Sequence, residues 1–113
     1  MKAYVSYLEL AGAQVIPILY DEDQLSLENK LKMIDGLFYP GGAGDYYQNG
    51  KYLFNRIRQI NEAGRYMPIW GTCLGFEAIL NYTNPNILKP FGIRHQSLNI
   101  ELINNGRNSQ LYS

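Results

Sequence analysis

From Ala3 to Ala11 the apolar residues Tyr4, Val5, Leu8 and Ala11 recur at helical spacing, and Gly12 follows as a terminator. The next run, QVIPILY from Gln14 to Tyr20, is β-branched and apolar and predicts a strand, with Pro17 arguing for an edge or a strand end. Asp21, Asp23 and Ser26 mark a loop and an N-cap region, after which Leu27, Leu31 and Ile34 set a helical stripe within Leu25–Ile34. GLFYPGG, Gly36 to Gly42, reads as a short buried strand ending in a turn. The stretch from Tyr52 to Gly64 is an amphipathic helix with Leu53, Ile57 and Ile60 inward and Gly64 as its stop. MPIWG, Met67 to Gly71, is a further strand, and Leu74–Tyr82 is a helix that runs from a glycine turn.

That order, α-β-α-β-α-β-α, is the order of an α/β three-layer sandwich, a mostly parallel sheet covered by helices on both faces. In such sheets the loops at the carboxyl ends of strands form the binding crevice. Both glycine-rich turns, PGGAGD and GTCLG, fall at strand carboxyl ends. After Tyr82, ILKPFGI and SLNIELI have the composition of strands, and NNGRNSQLYS reads as a polar turn with a frayed end. No repeat, low-complexity tract or linker divides residues 1–113, so a single domain is expected.

Composition narrows the function. The chain of 113 residues is 46% hydrophobic and 18% charged, ordinary for a globular protein able to bury roughly two thirds of its unfolded surface. Ten basic and ten acidic residues give zero formal charge, so no long-range field draws it to nucleic acid or to an anionic membrane. Its apolar runs are too short to span a bilayer. At the N-terminus Ser6 and Glu9 interrupt any apolar core, and no signal peptide is legible. One cysteine cannot form an internal disulfide, and Cys73 with His95 is no zinc pattern. Neither a metal nor a cofactor is expected.

The lone thiol carries the candidate chemistry. A nucleophile elbow needs a sharp strand-to-helix turn with small residues two positions before and two after the nucleophile. Gly71 and Gly75 stand at those positions around Cys73. The turn exposes the sulfur at the top of the sheet and aims the first amides of the next helix at it. The positive end of the helix dipole then lies beside the thiolate, which is the attacking species, and the Leu74 amide is available to an oxyanion. The alternative is a buried structural cysteine beside a glycine turn. Pro40-Gly41-Gly42 at the neighbouring strand end permits close approach of a second backbone N–H, although a simple turn is the commonest fate of that tripeptide.

PGG on one strand end followed by WGTCLGFE on the next resembles the class I glutamine amidotransferase-like, flavodoxin-like fold, and within it the γ-glutamyl hydrolases. AYVSYLELAGAQVIPI and IDGLFYPGG are similar to segments of that family, so the resemblance runs from about Ala3 to about Leu80. Phe76-Glu77 after the elbow favours the hydrolase branch over related glutaminase domains. The resemblance implies cysteine-dependent hydrolysis of γ-glutamyl bonds, of folate poly-γ-glutamates, through a thioester at Cys73. Gly42 and Leu74 would supply oxyanion-hole amides. Tyr4, Gly41 and Glu77 would line the substrate site, with a helix-face carboxylate as the bland role for Glu77. Trp70 is expected in the sheet core. A small γ-glutamyl substrate, a homodimer in the full-length enzyme, and a lysosomal, vacuolar or extracellular location are implied as well. The tripeptide Asn81-Tyr82-Thr83 is a glycosylation acceptor that a sheet-packed helix would hide.

One departure matters. The family completes its site with a histidine and an acidic residue in a WHPE-like segment, which this chain lacks, and its first strand, expected before Ala3, is missing. A cysteine nucleophile of this type needs a base for its proton and an acid for the leaving amine. His95 lies outside any matching motif and is expected to be structural. The expectation is an incomplete sheet that carries the nucleophile of a longer enzyme and turns over little alone. A glutaminase domain and an inactive remnant acting as an interaction module are the rival expectations.

Overall fold

The computed structural model describes residues 2–44, 47–88, 97–99, 101–103 and 105–111. Its elements are α1 (Lys2–Leu10), α2 (Gln24–Leu31), β1 (Leu37–Tyr39), α3 (Tyr47–Glu62), β2 (Ile69–Gly71) and α4 (Leu74–Thr83), followed by a 3₁₀ turn at Gly106–Asn108. β1 and β2 are parallel, with Leu37 opposite Ile69, Phe38 opposite Trp70 and Tyr39 opposite Gly71.

Local chemistry sets the element ends. Asp23 caps α2 by accepting from the Ser26 amide at 2.9 Å. Gly12 and Gly64, the expected stops of α1 and α3, sit at φ 90° and 97°, where a Cβ would be strained. α2 ends at Leu31, short of the expected Ile34, because the chain turns at Lys32 and Met33 to reach β1.

Side chains alternate across the sheet and sort the helices onto its two faces. Leu37 and Ile69 point to a core built by Leu27 and Leu31 of α2, Leu53 and Ile57 of α3, and Met67. Tyr39 shares that face with Phe54 of α3 and with Ala78 and Tyr82 of α4. Phe38 points the other way, where the Tyr4 ring of α1 packs on it at 5.6 Å between centroids. Among the described residues helices therefore cover both faces, α1 on one and α2, α3 and α4 on the other. The expected three-layer α/β arrangement is present around a two-stranded parallel sheet.

Two expected strand regions differ. Among the described residues Gln14–Tyr20 has no ladder partner and β1 pairs with β2 alone, and an isolated extended segment cannot satisfy its own backbone. Ser97–Ile103, where described, forms no strand, and the part of ILKPFGI from Lys89 onward lies outside the described residues, as does His95. Trp70 is a further correction. It is 49% exposed, because it faces the α1 side while α1 reaches only as far as Phe38.

Polar contacts fix α3 against its neighbours. Tyr39 donates its hydroxyl to Gly50 O at 2.7 Å, and Asn61 brackets Met67 by donating to its carbonyl and accepting from its amide. Glu28 of α2 accepts from Arg56 Nε and Nη2 and from the Tyr52 hydroxyl, and these bonds, Arg56 foremost, lower its pKa to about 2. A depressed carboxylate pKa adds stability above the unfolded value near 4.5, and that stability fades as pH falls toward 2. Glu28→Gln is therefore expected to cost about 1 kcal/mol at pH 7, the ordinary worth of a partly exposed ion pair. Urea midpoints of the two proteins should converge as pH drops below 4.5.

Candidate active site

β2 delivers the chain into the site. After Gly71 the Thr72 amide still donates to Tyr39 O at 3.1 Å, so the ladder holds one residue beyond the strand. The backbone then reverses at Cys73, whose φ of 55° and ψ of −121° lie where side-chain-bearing residues are rare. Such a conformation costs about 1–3 kcal/mol and persists only where the surroundings enforce it. They do so here. Gly75 N donates to Thr72 O at 3.0 Å and Glu77 N to Cys73 O at 3.1 Å, locking α4 directly onto the turn.

Both flanking glycines are sterically required. A Cβ at Gly71 would lie 2.7 Å from Gly75 O, and one at Gly75 would fall on the carbonyl of Tyr39. The small-x-nucleophile-x-small spacing read from the sequence is thus the spacing the turn demands. The Cys73 side chain is exposed, as an elbow requires and a core-filling cysteine would not be.

A second strand end and a helix meet this turn. A Cβ placed on Gly41 would lie 2.8 Å from Cys73 Cβ and 2.5 Å from the Tyr4 hydroxyl oxygen. Tyr4, Gly41 and Cys73 thus converge from α1, the end of β1 and the elbow. Gly42 follows at φ 125° with open space where a Cβ would be. Leu74 is the first residue of α4, so its amide has no intrahelical acceptor. Glu77 lies in the first turn of α4, exposed, where the helix dipole favours a carboxylate. Asn81 is half-buried on the same helix. The Thr72 carbonyl, which sequence reading did not place at the site, lies 3.3 Å from a Cβ built on Gly41 and so borders it just beyond β2.

Among the described residues no group of three or more histidine, cysteine or acidic side chains is placed to hold a metal ion. No described helix is long and apolar enough to cross a membrane.

An exposed cysteine on a strained strand-to-helix turn, in a parallel sheet layered by helices, is the arrangement of a class I glutamine amidotransferase-type domain. The profile of the glutamine amidotransferase class-I family matches residues 1–112, and the chain belongs to that family. Within it the chain is similar to γ-glutamyl hydrolases. It is 33% identical to γ-glutamyl hydrolase 1 of Arabidopsis thaliana over 111 residues, 94% of this chain and 32% of that protein. It is 36% identical to γ-glutamyl hydrolase B of Dictyostelium discoideum over 112 residues, covering 92% and 32% respectively. With the human γ-glutamyl hydrolase identity rises to 42% over 82 residues, 68% of this chain and 26% of that protein. The chain spans about a third of the length of the curated relatives it matches. No solved structure matches it.

Proposed function

We propose that residues 1–113 are the nucleophile-bearing part of a γ-glutamyl hydrolase domain that cleaves γ-linked glutamate, with folate poly-γ-glutamates as the substrate class. The observation that carries this reading is Cys73, exposed at φ 55° between two glycines that nothing larger can replace. The names of the relatives support the bond type.

In this reading Cys73 Sγ adds to the γ-amide carbonyl, and the Leu74 and Gly42 amides receive the oxyanion. The C–N bond breaks as the leaving amine takes a proton, leaving a thioester on Cys73. The expelled amine is that of the downstream glutamate or glutamyl tail. Water then adds to the thioester, releasing the shortened chain with a free γ-carboxylate and returning a proton to sulfur. The base and acid for these transfers come from residues beyond this chain. Tyr4 and Gly41 shape the substrate side, and Glu77 borders it.

The test compares γ-glutamyl peptides with free glutamine on the native-length protein, with mass spectrometry for a thioester adduct on Cys73. Preference for γ-linked peptides supports the hydrolase. Preference for glutamine identifies a glutaminase domain, and alkylation of Cys73 no faster than an ordinary exposed thiol identifies an inactive remnant. The isolated 113-residue chain is expected to show little or no turnover. Tyr4→Phe in the native-length protein should raise KM by up to about tenfold, the worth of one hydrogen bond, with kcat changed less.

A further inference from the structure

The turn that offers the Gly42 amide to the site has almost nothing of its own to hold it. Gly41, Gly42 and Gly44 carry no side chains, and Gly42, Ala43 and Gly44 are exposed. A Cβ built on Gly42 or Gly44 would meet nothing within 4 Å, and Gly42 stands at φ 125°. Glycine leaves such a conformation at little cost, so the direction of the Gly42 amide depends on what holds the two ends of the turn. The β1 end is held by the elbow. A Cβ on Gly41 would lie 2.8 Å from Cys73 Cβ, and Tyr39 O accepts from Thr72 N at 3.1 Å.

The α3 end is held by the same residue. Tyr39, the last residue of β1, is buried and reaches across to α3, where its hydroxyl donates to Gly50 O at 2.7 Å. The Phe54 amide bonds to the same hydroxyl. Gly50 O and Phe54 N are four residues apart, the pair that an α-helix joins directly, so the hydroxyl sits on a rung of the α3 ladder. Burial pushes its pKa up, so it keeps its proton and remains a donor at neutral pH. Packing alone does not call for this bond, because the Tyr39 ring already meets Phe54, Ala78 and Tyr82. What the hydroxyl adds is a polar strut from the residue before Pro40 to the first turn of α3. Asn49 holds that turn to Tyr20 O and Glu22 O, whereas Tyr39 holds it to the strand end and the elbow.

We infer that the Tyr39 hydroxyl is a positioning group for the oxyanion hole: it holds the first turn of α3 to the end of β1 and so sets where the Gly42 amide points beside Cys73. The inference rests on the proposed roles of Gly42 and Cys73 and adds a residue that acts through the turn, not on the substrate. Tyr39→Phe isolates the bond. The ring and its packing stay, and Gly50 O and Phe54 N are left to bond to each other as in any α-helix, so no buried polar group is orphaned. α3 then closes its own ladder and is released from the strand end. The fold survives while the aim of the Gly42 amide does not.

The experiment compares Tyr39→Phe with the parent in native-length protein. It reads kcat and KM on poly-γ-glutamate, and inhibition by a γ-glutamyl aldehyde, which adds to Cys73 as a tetrahedral hemithioacetal. kcat is expected to fall by about tenfold to a hundredfold with KM within about twofold, because a misaimed donor weakens binding of the transition state and not of the substrate. Affinity for the aldehyde should fall by the same factor as kcat, and the urea midpoint should barely move. Glu28→Gln, which loosens α2 from α3 away from the turn, should leave kcat unchanged. A Tyr39→Phe kcat equal to the parent's, per folded molecule, overturns the inference and leaves Tyr39 a packing residue. A raised KM at unchanged kcat overturns it too. The parent's own substrate preference keeps the two proposals apart. A parent that cleaves free glutamine alone refutes the hydrolase, and the same kcat comparison on glutamine still decides the role of Tyr39. A parent that turns over neither substrate overturns both.

Discussion

Cys73→Ala in the native-length protein is expected to lower the rate of glutamate release by about a thousandfold or more while leaving the thermal midpoint nearly unchanged. The split between activity and stability follows from where the residue sits. Its side chain is exposed and belongs to neither core cluster, so truncation opens no cavity. Alanine keeps a Cβ, and so inherits the strain at φ 55° without relieving it. What disappears is the only thiol in the chain, and the remaining groups can bind and polarise a γ-amide but cannot form the acyl intermediate. Cys73→Gly sharpens the point. Glycine adopts the same backbone with little penalty, so that variant should be inactive and yet about 1 kcal/mol more stable than the parent. Saturating-substrate rates and urea midpoints on the three proteins check both halves. Full activity in Cys73→Ala would return the thiol to a structural role.

The parts of this fold that were legible in sequence are those fixed by local pattern. α1 and α4 follow their apolar spacing, and the stops at Gly12 and Gly64 follow from the left-handed residues that end helices. The elbow was legible because its constraint is a spacing of two small residues about one nucleophile. Other features depend on partners distant in sequence. The first turn of α3 starts at Tyr47 rather than Tyr52, and Gly50 within it is a poor helix former. It is held instead by the Tyr39 hydroxyl on Gly50 O and by Asn49 donating to Tyr20 O and Glu22 O. Gln14–Tyr20 has strand chemistry, but a strand is defined by its neighbour, and no property of QVIPILY says which neighbour that is. Trp70 reads as sheet core from its place in the apolar run MPIWG. Its exposure depends on how far α1 extends across the sheet, which no residue near Trp70 encodes.

Gly75→Ala is expected to destabilise the native-length protein by about 3 kcal/mol or more, against the usual direction for glycine in a helix. In an exposed helix interior the same change would stabilise by up to about 1 kcal/mol, because alanine restricts the unfolded chain and suits the helix. Here the added methyl has no room. It would fall on the carbonyl and Cβ of Tyr39. Tyr39 cannot give way, since it is buried in β1, bonded through its carbonyl to Thr72 N and through its hydroxyl to Gly50 O. α4 would have to lift from the sheet instead, loosening Ala78 and Tyr82 from Tyr39 and Phe54. Gly44→Ala supplies the control, because a Cβ there meets nothing within 4 Å, and its midpoint should stay within about 0.5 kcal/mol of the parent. Lifting α4 also withdraws the Leu74 amide from the Cys73 turn, so whatever Gly75→Ala protein remains folded should lose activity beyond its loss of folded fraction. A Gly75→Ala protein as stable as the parent would mean that α4 does not press on β1 at the elbow, and the steric basis for reading Cys73 as a poised nucleophile would go with it.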